Sequence, residues 1–386
     1  MAAFAQGEYR ERVKAVSAKM QEKGIDTLVV LKETHLCYLT GYEGYSDYVP
    51  QAAILRAGDL DPVLILREMD TKCAYPTVYL DQSRVEAYPE KYVGNANRSP
   101  WDIIGERTLH IAHGGRIGVE FGSRGFSHSD YLLFMSALGA RTAEDATSVV
   151  PSVTAKKSAA EIKYMQDAAK IVDRALMAGA DKIDVGVREC DVAATVTKCL
   201  IEGTPEVGGG PGVPIFMPVT PWDKAPHLRW TDRQYEKQRQ TNFEVAAFVH
   251  RYYCPLSRTV YLGTPPDRYR FLHEAVVAGF TSALGAVKPG AIAGDIYRAF
   301  AKTFKPSGIR KESRIGYSLG IDEGAYGEGS FSLQEDDRTV LEADFTFHLI
   351  VGIWEREDSY IFSEAIRVTP NGAESFTKLS RDIMVR

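Results

Sequence analysis

Nothing in the 386-residue chain is apolar for long enough to cross a bilayer. Its most hydrophobic stretches, such as residues 27–31, fall far short of the roughly 20 residues a spanning helix needs. The first residues lack a basic segment followed by an apolar one, so no secretory signal is expected and the expected location is cytoplasmic. Cysteine is scarce: the five are odd in number and show no C-x-x-C spacing, the pattern of free thiols in a reducing compartment rather than of a disulfide frame. An excess of positive charge is also missing. With 46 basic and 51 acidic side chains the net charge is −5, which argues against nucleic acid and anionic membranes as partners, because both need clustered Lys and Arg. Finally, there is no H-E-x-x-H, no EF-hand loop and no G-x-x-x-x-G-K-S/T phosphate loop.

What is present divides in two. Over the first 150 or so residues, helical spacing at 9–23 alternates with strand-like runs at 26–31, 52–55, 62–66 and 116–120, followed by a helical pattern at 131–138. Interleaving of this kind predicts an α/β domain over residues 1–154. Ser158 and Glu161 then have the spacing of a capping box, with apolar residues at helical intervals behind them. A second helix is expected over 187–201, a Gly/Pro-rich loop over 203–218, long strands over 243–250, 252–261 and 345–354, and helices near 271–284 and 292–304. Helices first and long strands after predict an α+β domain over 155–386, its helices backing a curved sheet.

Four polar islands stand out in this second part. The segment W-D-K-A-P-H-L-R-W at 222–230 puts His227 in a loop, where a side chain that titrates near neutrality either transfers protons or simply packs the loop down. Glu244 is the lone acid in an apolar strand pattern. Burying it is costly, so it is either functional or paired, with Arg251 or Arg258 as structural partners. His348 and Glu364 sit in two further apolar runs, and either could be a satisfied core residue or part of a polar cavity on the sheet.

The order of these segments resembles the creatinase and aminopeptidase-P family. The resemblance rests on an α/β domain, a capped helix after K-K-S at 156–158, a P-H loop, strands ending S-R-T at 257–259 and a helix entry V-K-P-G at 287–290. It extends over nearly the whole chain and implies a creatinase-like N-terminal domain followed by a pita-bread catalytic domain. Family metallopeptidases hold two metals with two Asp, one His and two Glu. At those positions this chain has Glu244, Pro255, Tyr317, Ile350 and Ser363. The resemblance is therefore to the metal-free branch, which includes creatinase and ectoine hydrolase, and no metal or cofactor is expected.

The finer pattern is similar to ectoine hydrolases: A-P-H-L with Trp230, Arg251 ahead of C-P-L-S-R-T, G-Y at 316–317, T-F-H at 346–348 with Gly352 and Trp354, and T-G-Y at 40–42 with Gly44. The resemblance implies a small-molecule substrate, a cyclic amidine bearing a carboxylate, whose ring is opened to N-acetyl-diaminobutyrate. Hydrolysis of a guanidino acid, or a non-catalytic role in binding peptides or proteins, are the alternatives. His227, Glu244 and Glu364 would be catalytic, with Glu364 pairing the amidinium. Trp230, Arg251, Tyr317, His348 and Trp354 would line the pocket, with Arg251 or Arg229 holding the substrate carboxylate. Tyr45 and Tyr48 resemble N-domain aromatics that reach into a partner subunit's pocket, which implies a homodimer. Whether a deacetylase also binds is left open.

Overall fold

The computed structural model describes residues 2–46, 48–212, 214–321, 327–355 and 357–386. The chain falls into two compact units, Met1–Val153 and Thr154–Arg386.

The first unit follows the alternation in its sequence: α1 (Gln6–Glu22), β1 (Thr27–Val30), α2 (Glu33–Thr40), β2 (Ala52–Arg56), β3 (Val63–Arg67), the single turn α3 (Thr71–Ala74), β4 (Val85–Tyr88), α4 (Pro100–Ala112), β5 (Ile117–Val119), α5 (His128–Ala137) and β6 (Ala143–Asp145). The six strands form one mixed sheet in the order β4-β3-β2-β1-β5-β6. Its core joins Val29, Ile54, Ile65 and Val119 to Trp101, Ile104 and Phe134 from the helices. Capping boxes at Ser99–Asp102 and Ser127–Asp130 start α4 and α5 by satisfying free amide groups of the first turn. The short helix α6 (Val149–Thr154) spans the passage into the second unit.

There the helices come first: α7 (Ala159–Lys182), opened by the Ser158–Glu161 capping box, and α8 (Glu189–Glu202). Next come β7 (Gly210–Pro211), β8 (Arg239–Val249), β9 (Tyr252–Leu262), α9 (Asp267–Gly285), α10 (Ala293–Phe304), β10 (Gly316–Leu319), β11 (Gly327–Ser332), β12 (Thr346–Trp354), β13 (Ser359–Thr369), β14 (Gly372–Ser375) and β15 (Met384–Val385). They make a nine-stranded sheet in the order β11-β10-β12-β13-β9-β8-β7, with β14 beside β13 and β15 beside β9. His250 and Arg251, both at positive φ (49° and 65°), form the two-residue turn between β8 and β9, the backbone hand that suits twisted strands.

The segment expected as an irregular loop at 203–218 is partly a sheet edge. After β7 it runs beside β8 through bonds from Gly212 N–H to Ala246 C=O, both ways between Phe216 and Glu244, and from Asn242 N–H to Pro218 C=O. Pro211, Pro214 and Pro218 cannot donate, which suits an edge and breaks the ladder's regularity.

Alternate residues of the central strands face opposite ways. Register pairs Glu244 with Ser257, Ser257 with Ser363 and Ser363 with Ile350, so these four share one face. The residues between them, among them Phe243, Arg258, Phe362, Glu364, Leu349 and Val351, turn to the other face, against which α7 and α9 pack. On that side Phe347, Leu349, Val351 and Phe362 meet Phe280, Phe300 and Phe304 in one core cluster.

Within this core Arg258 is 2% exposed. Its Nη2 bonds Glu364 Oε1 at 3.2 Å, and its guanidinium stacks on Phe362 at 4.1 Å. Arg381 grips the same carboxylate at 2.9 and 2.7 Å. Removing the charge of Glu364 leaves two guanidinium groups around a neutral amide. Glu364→Gln should therefore cost on the order of 3–5 kcal/mol in urea unfolding, while turnover per folded molecule stays near that of the wild type.

Candidate active site

The sheet face opposite α7 and α9 carries the polar residues that a hydrocarbon core would not hold. Glu244 is 9% exposed, and among the described residues its carboxylate makes no side-chain hydrogen bond or ion pair. Burial alone pushes its pKa up to about 7. Its main-chain N–H and C=O both bond Phe216 on the edge segment, and Ser257 stands opposite it on β9, so the carboxylate is held in place by the backbone. Beside it the fully buried Ser257 Oγ has no hydrogen-bond partner among the described residues.

One strand further across, the polar groups are connected. His348 Nε2 bonds Ser363 Oγ at 2.7 Å and its Nδ1 bonds the Tyr317 hydroxyl at 2.9 Å. Burial, with the Arg314 guanidinium nearby, pushes His348 down to about 3, so the imidazole is neutral and passes one hydrogen bond on from the other. Trp354 lies back over Gly352. A Cβ at Gly352 would come within 2.6 Å of the indole Nε1, so this position has no room for a larger residue.

His227 arrives from the loop. Met217 N–H bonds Leu228 C=O at 3.1 Å, which places the His227 ring against Phe216 with centroids 5.2 Å apart. Since Phe216 is the bridge partner of Glu244, the loop histidine lies one aromatic ring away from the carboxylate, and it is exposed in the single chain.

Glu244, Tyr317, His348 and Trp354 thus share a face, with His227 at its edge. Three expectations are corrected. Glu364 cannot act with Glu244: it points to the helix side of β13 and is consumed by Arg258 and Arg381. Arg258, offered as a partner for Glu244, faces away for the same reason. Arg251 stands at the β8–β9 turn, seven residues beyond Glu244, which is about 23 Å along an extended strand, so it is not brought to the carboxylate. Trp230 is half-buried in the loop after His227. Tyr45 and Tyr48 belong to the first unit. Both are exposed (77% and 68%), and Arg67 holds the Tyr48 hydroxyl at 2.9 Å. Phe216 and Ser257 are site residues that sequence reasoning did not single out, because a hydroxyl and a loop phenylalanine carry no signal until register places them, and Ser363 was noted only as standing at a position where the family has a metal ligand.

The five positions matching the family's metal ligands all turn to this face. One carboxylate, one phenol, one hydroxyl, a proline and an isoleucine do not fit a dinuclear metal centre, which needs several anionic or imidazole donors. Among the described residues no three His, Cys, Asp or Glu side chains gather as a metal-binding group.

A carboxylate whose folded pKa lies above its unfolded value of about 4.5 favours the folded state only when protonated. Its contribution turns unfavourable as pH rises from about 4.5 and is fully so above about 7. Glu244→Gln should therefore be more stable than the wild type at pH 8, by up to about 3 kcal/mol. The gap should close on acidification to pH 4.5, as read by denaturant melts across that range.

Comparison with known proteins agrees with this architecture. Residues 12–153 match the creatinase/prolidase N-terminal domain, and residues 163–370 match metallopeptidase family M24. The chain is 34% identical over 394 residues to the ectoine hydrolase of Halomonas elongata, covering 99% of this chain and 98% of that protein. It is 35% identical to an uncharacterised hydrolase/peptidase of Sinorhizobium fredii, covering 99% and 97%. Among solved structures, dipeptidase PepE of Mycobacterium ulcerans superposes with a TM-score of 0.84 at 20% identity, covering 99% of each chain. The prolidase of Pyrococcus horikoshii does so with 0.81 at 19%, covering 97% of this chain and all of that one. With both domain models matched in order and its relatives aligned from end to end, the chain belongs to the creatinase/prolidase proteins of metallopeptidase family M24, a creatinase-type N-terminal domain joined to a pita-bread domain.

Proposed function

We propose that the protein is a metal-independent hydrolase that opens the ring of a cyclic amidine, ectoine, to N-acetyl-diaminobutyrate. The observation that carries this reading is the buried carboxylate of Glu244, unpaired among the described residues, on the face where family relatives would carry metals. The full-length similarity to an ectoine hydrolase supports ectoine as the substrate.

Ring opening adds the elements of water across one C–N bond. An oxygen nucleophile adds to the amidine carbon, a proton reaches the leaving nitrogen, and the C–N bond breaks to leave an amide and an amine. Glu244, ionised above about pH 7, supplies either the attacking oxygen or the base that activates water. His227, against Phe216 at the edge of the face, delivers the proton. The Tyr317–His348–Ser363 chain holds the neutral side of the pocket and Trp354 forms part of its wall. Arg229, exposed two residues from His227, is a cation for the substrate carboxylate. The reading includes a cytoplasmic homodimer in which Tyr45 and Tyr48, large exposed aromatics, complete the partner's pocket.

Purified protein incubated with ectoine should yield N-acetyl-diaminobutyrate by NMR, with undiminished turnover after exhaustive chelation. The acid limb of kcat/KM should lie near pH 7. Glu244→Gln should lower turnover by at least about 100-fold, and His227→Ala by a similar factor that does not multiply with it. Chelator-sensitive turnover would sink the metal-free reading, and hydrolysis of creatine but not of ectoine would replace the substrate.

A further inference from the structure

Asp223 lies in the same loop as His227, four residues before it, and is 6% exposed. Its carboxyl group is held from behind. Ser359 Oγ donates to Oδ2 at 2.5 Å, and Asn242 Nδ2 donates to the Asp223 main-chain carbonyl at 2.8 Å. Gln240 Nε2 and Asn242 Nδ2 donate to that same serine oxygen at 2.7 and 3.2 Å, and Thr259 Oγ1 donates to Asn242 Oδ1 at 2.9 Å. Five side chains from the loop and three strands thereby fix one carboxyl orientation. The other oxygen, Oδ1, is buried with no hydrogen-bond partner among the described residues.

A rigid network that satisfies one carboxylate oxygen and leaves its twin buried and empty is costly, unless a donor arrives from outside the protein. Register places the group on the active face. Gln240 and Asn242 precede Glu244 by four and two residues on β8, and Ser359 precedes Ser363 by four on β13, so all keep the parity of Glu244 and Ser363. Asn242 and Glu244 are about 7 Å apart along an extended strand, the width of a small ring. An anionic acceptor with one oxygen free selects an N–H cation, since charge-assisted hydrogen bonds to carboxylates are the strong ones.

The geometry points to Asp223 as the substrate's cation anchor: its free Oδ1 accepts an N–H of an amidinium or guanidinium group whose central carbon faces Glu244. This rests on the hydrolase reading above and supplies the amidinium partner that Glu364, on the far face, cannot be. It also makes Asp223 a determinant of specificity for cationic C–N substrates over neutral amides.

The test measures binding, not turnover. Glu244→Gln protein, which holds ligand without consuming it, is titrated by NMR with acetamidinium and with acetamide, a pair alike in shape and different in charge. It is titrated with ectoine in parallel. Adding Asp223→Asn keeps an acceptor for Ser359 and removes the anionic oxygen. It should weaken acetamidinium by about 10- to 100-fold, leave acetamide unchanged and leave the melting temperature unchanged. Equal loss for both probes, or no loss for acetamidinium, overturns the assignment. Should Asp223→Asn fail to fold, the Glu244→Gln protein alone decides. Nuclear Overhauser contacts from bound acetamidinium N–H to the side chains of Asn242 or Ser359 support the anchor, and contacts only elsewhere overturn it. Retained selectivity for acetamidinium without ectoine binding would support Asp223 and reject the ring as substrate, so the two readings fail separately.

Discussion

The line Glu244–Ser257–Ser363–Ile350 runs straight across β8, β9, β13 and β12, and every assignment in the second unit follows from it. Because side chains alternate with a period of two, this one register sends Phe243, Leu349, Phe362 and Val351 toward the helices and their neighbours toward the open chemistry. A slip by one residue on β13 alone would bury Ser363 among phenylalanines and deliver Glu364 to the site. The main-chain bonds of Glu244, its N–H and C=O both paired with Phe216, make such a slip expensive for β8, since it would leave buried amide groups unpaired.

Two carboxylates, both in apolar strands, meet opposite fates across that sheet. Glu364 is compensated by two arginines and a serine hydroxyl, and its role is to tie β13 to β9 and to the C-terminal segment. Glu244 is uncompensated among the described residues, and burial raises its affinity for a proton to the range where a base or nucleophile is useful near neutrality. The stability sacrificed at Glu244 is the kind that functional sites carry, because a reactive group must not be satisfied by its own protein. His348 shows a third solution: a buried imidazole made neutral by its surroundings and bonded at both nitrogens, to the Tyr317 and Ser363 hydroxyls on the same face of the sheet.

Much of the fold was legible in the chain itself. Helical spacing, strand alternation and the Ser158–Glu161 capping box are local effects. Each depends on residues within one turn or one strand of each other, and the structure contains them at the expected places. The candidate site was legible only in part. Glu244 announced itself because a lone acid in an apolar strand is conspicuous, and His227 because loops are where a free imidazole is useful. Glu364 gave the same signal as Glu244 and meant something different, since one-dimensional context reports burial but not which face is buried. Asp223 and Ser257 gave no signal, because an aspartate or serine in a polar context is unremarkable until its partners are known.

Composition, periodicity and capping thus determined the longer helices and strands, their order and the two-domain plan, for those are set by short-range backbone preference and by the period of apolar residues, while short elements such as α2, β4 and β10 carried too little pattern to be read. Strand register and the path of the loop decided the rest. They settled which acid is paired and which, among the described residues, is not, and they joined Phe216 and Asp223 from the preceding loop, and Ser363 from more than a hundred residues further on, to Glu244. Those outcomes depend on pairing between distant strands, where one residue of shift exchanges the two faces, and no local pattern encodes that choice.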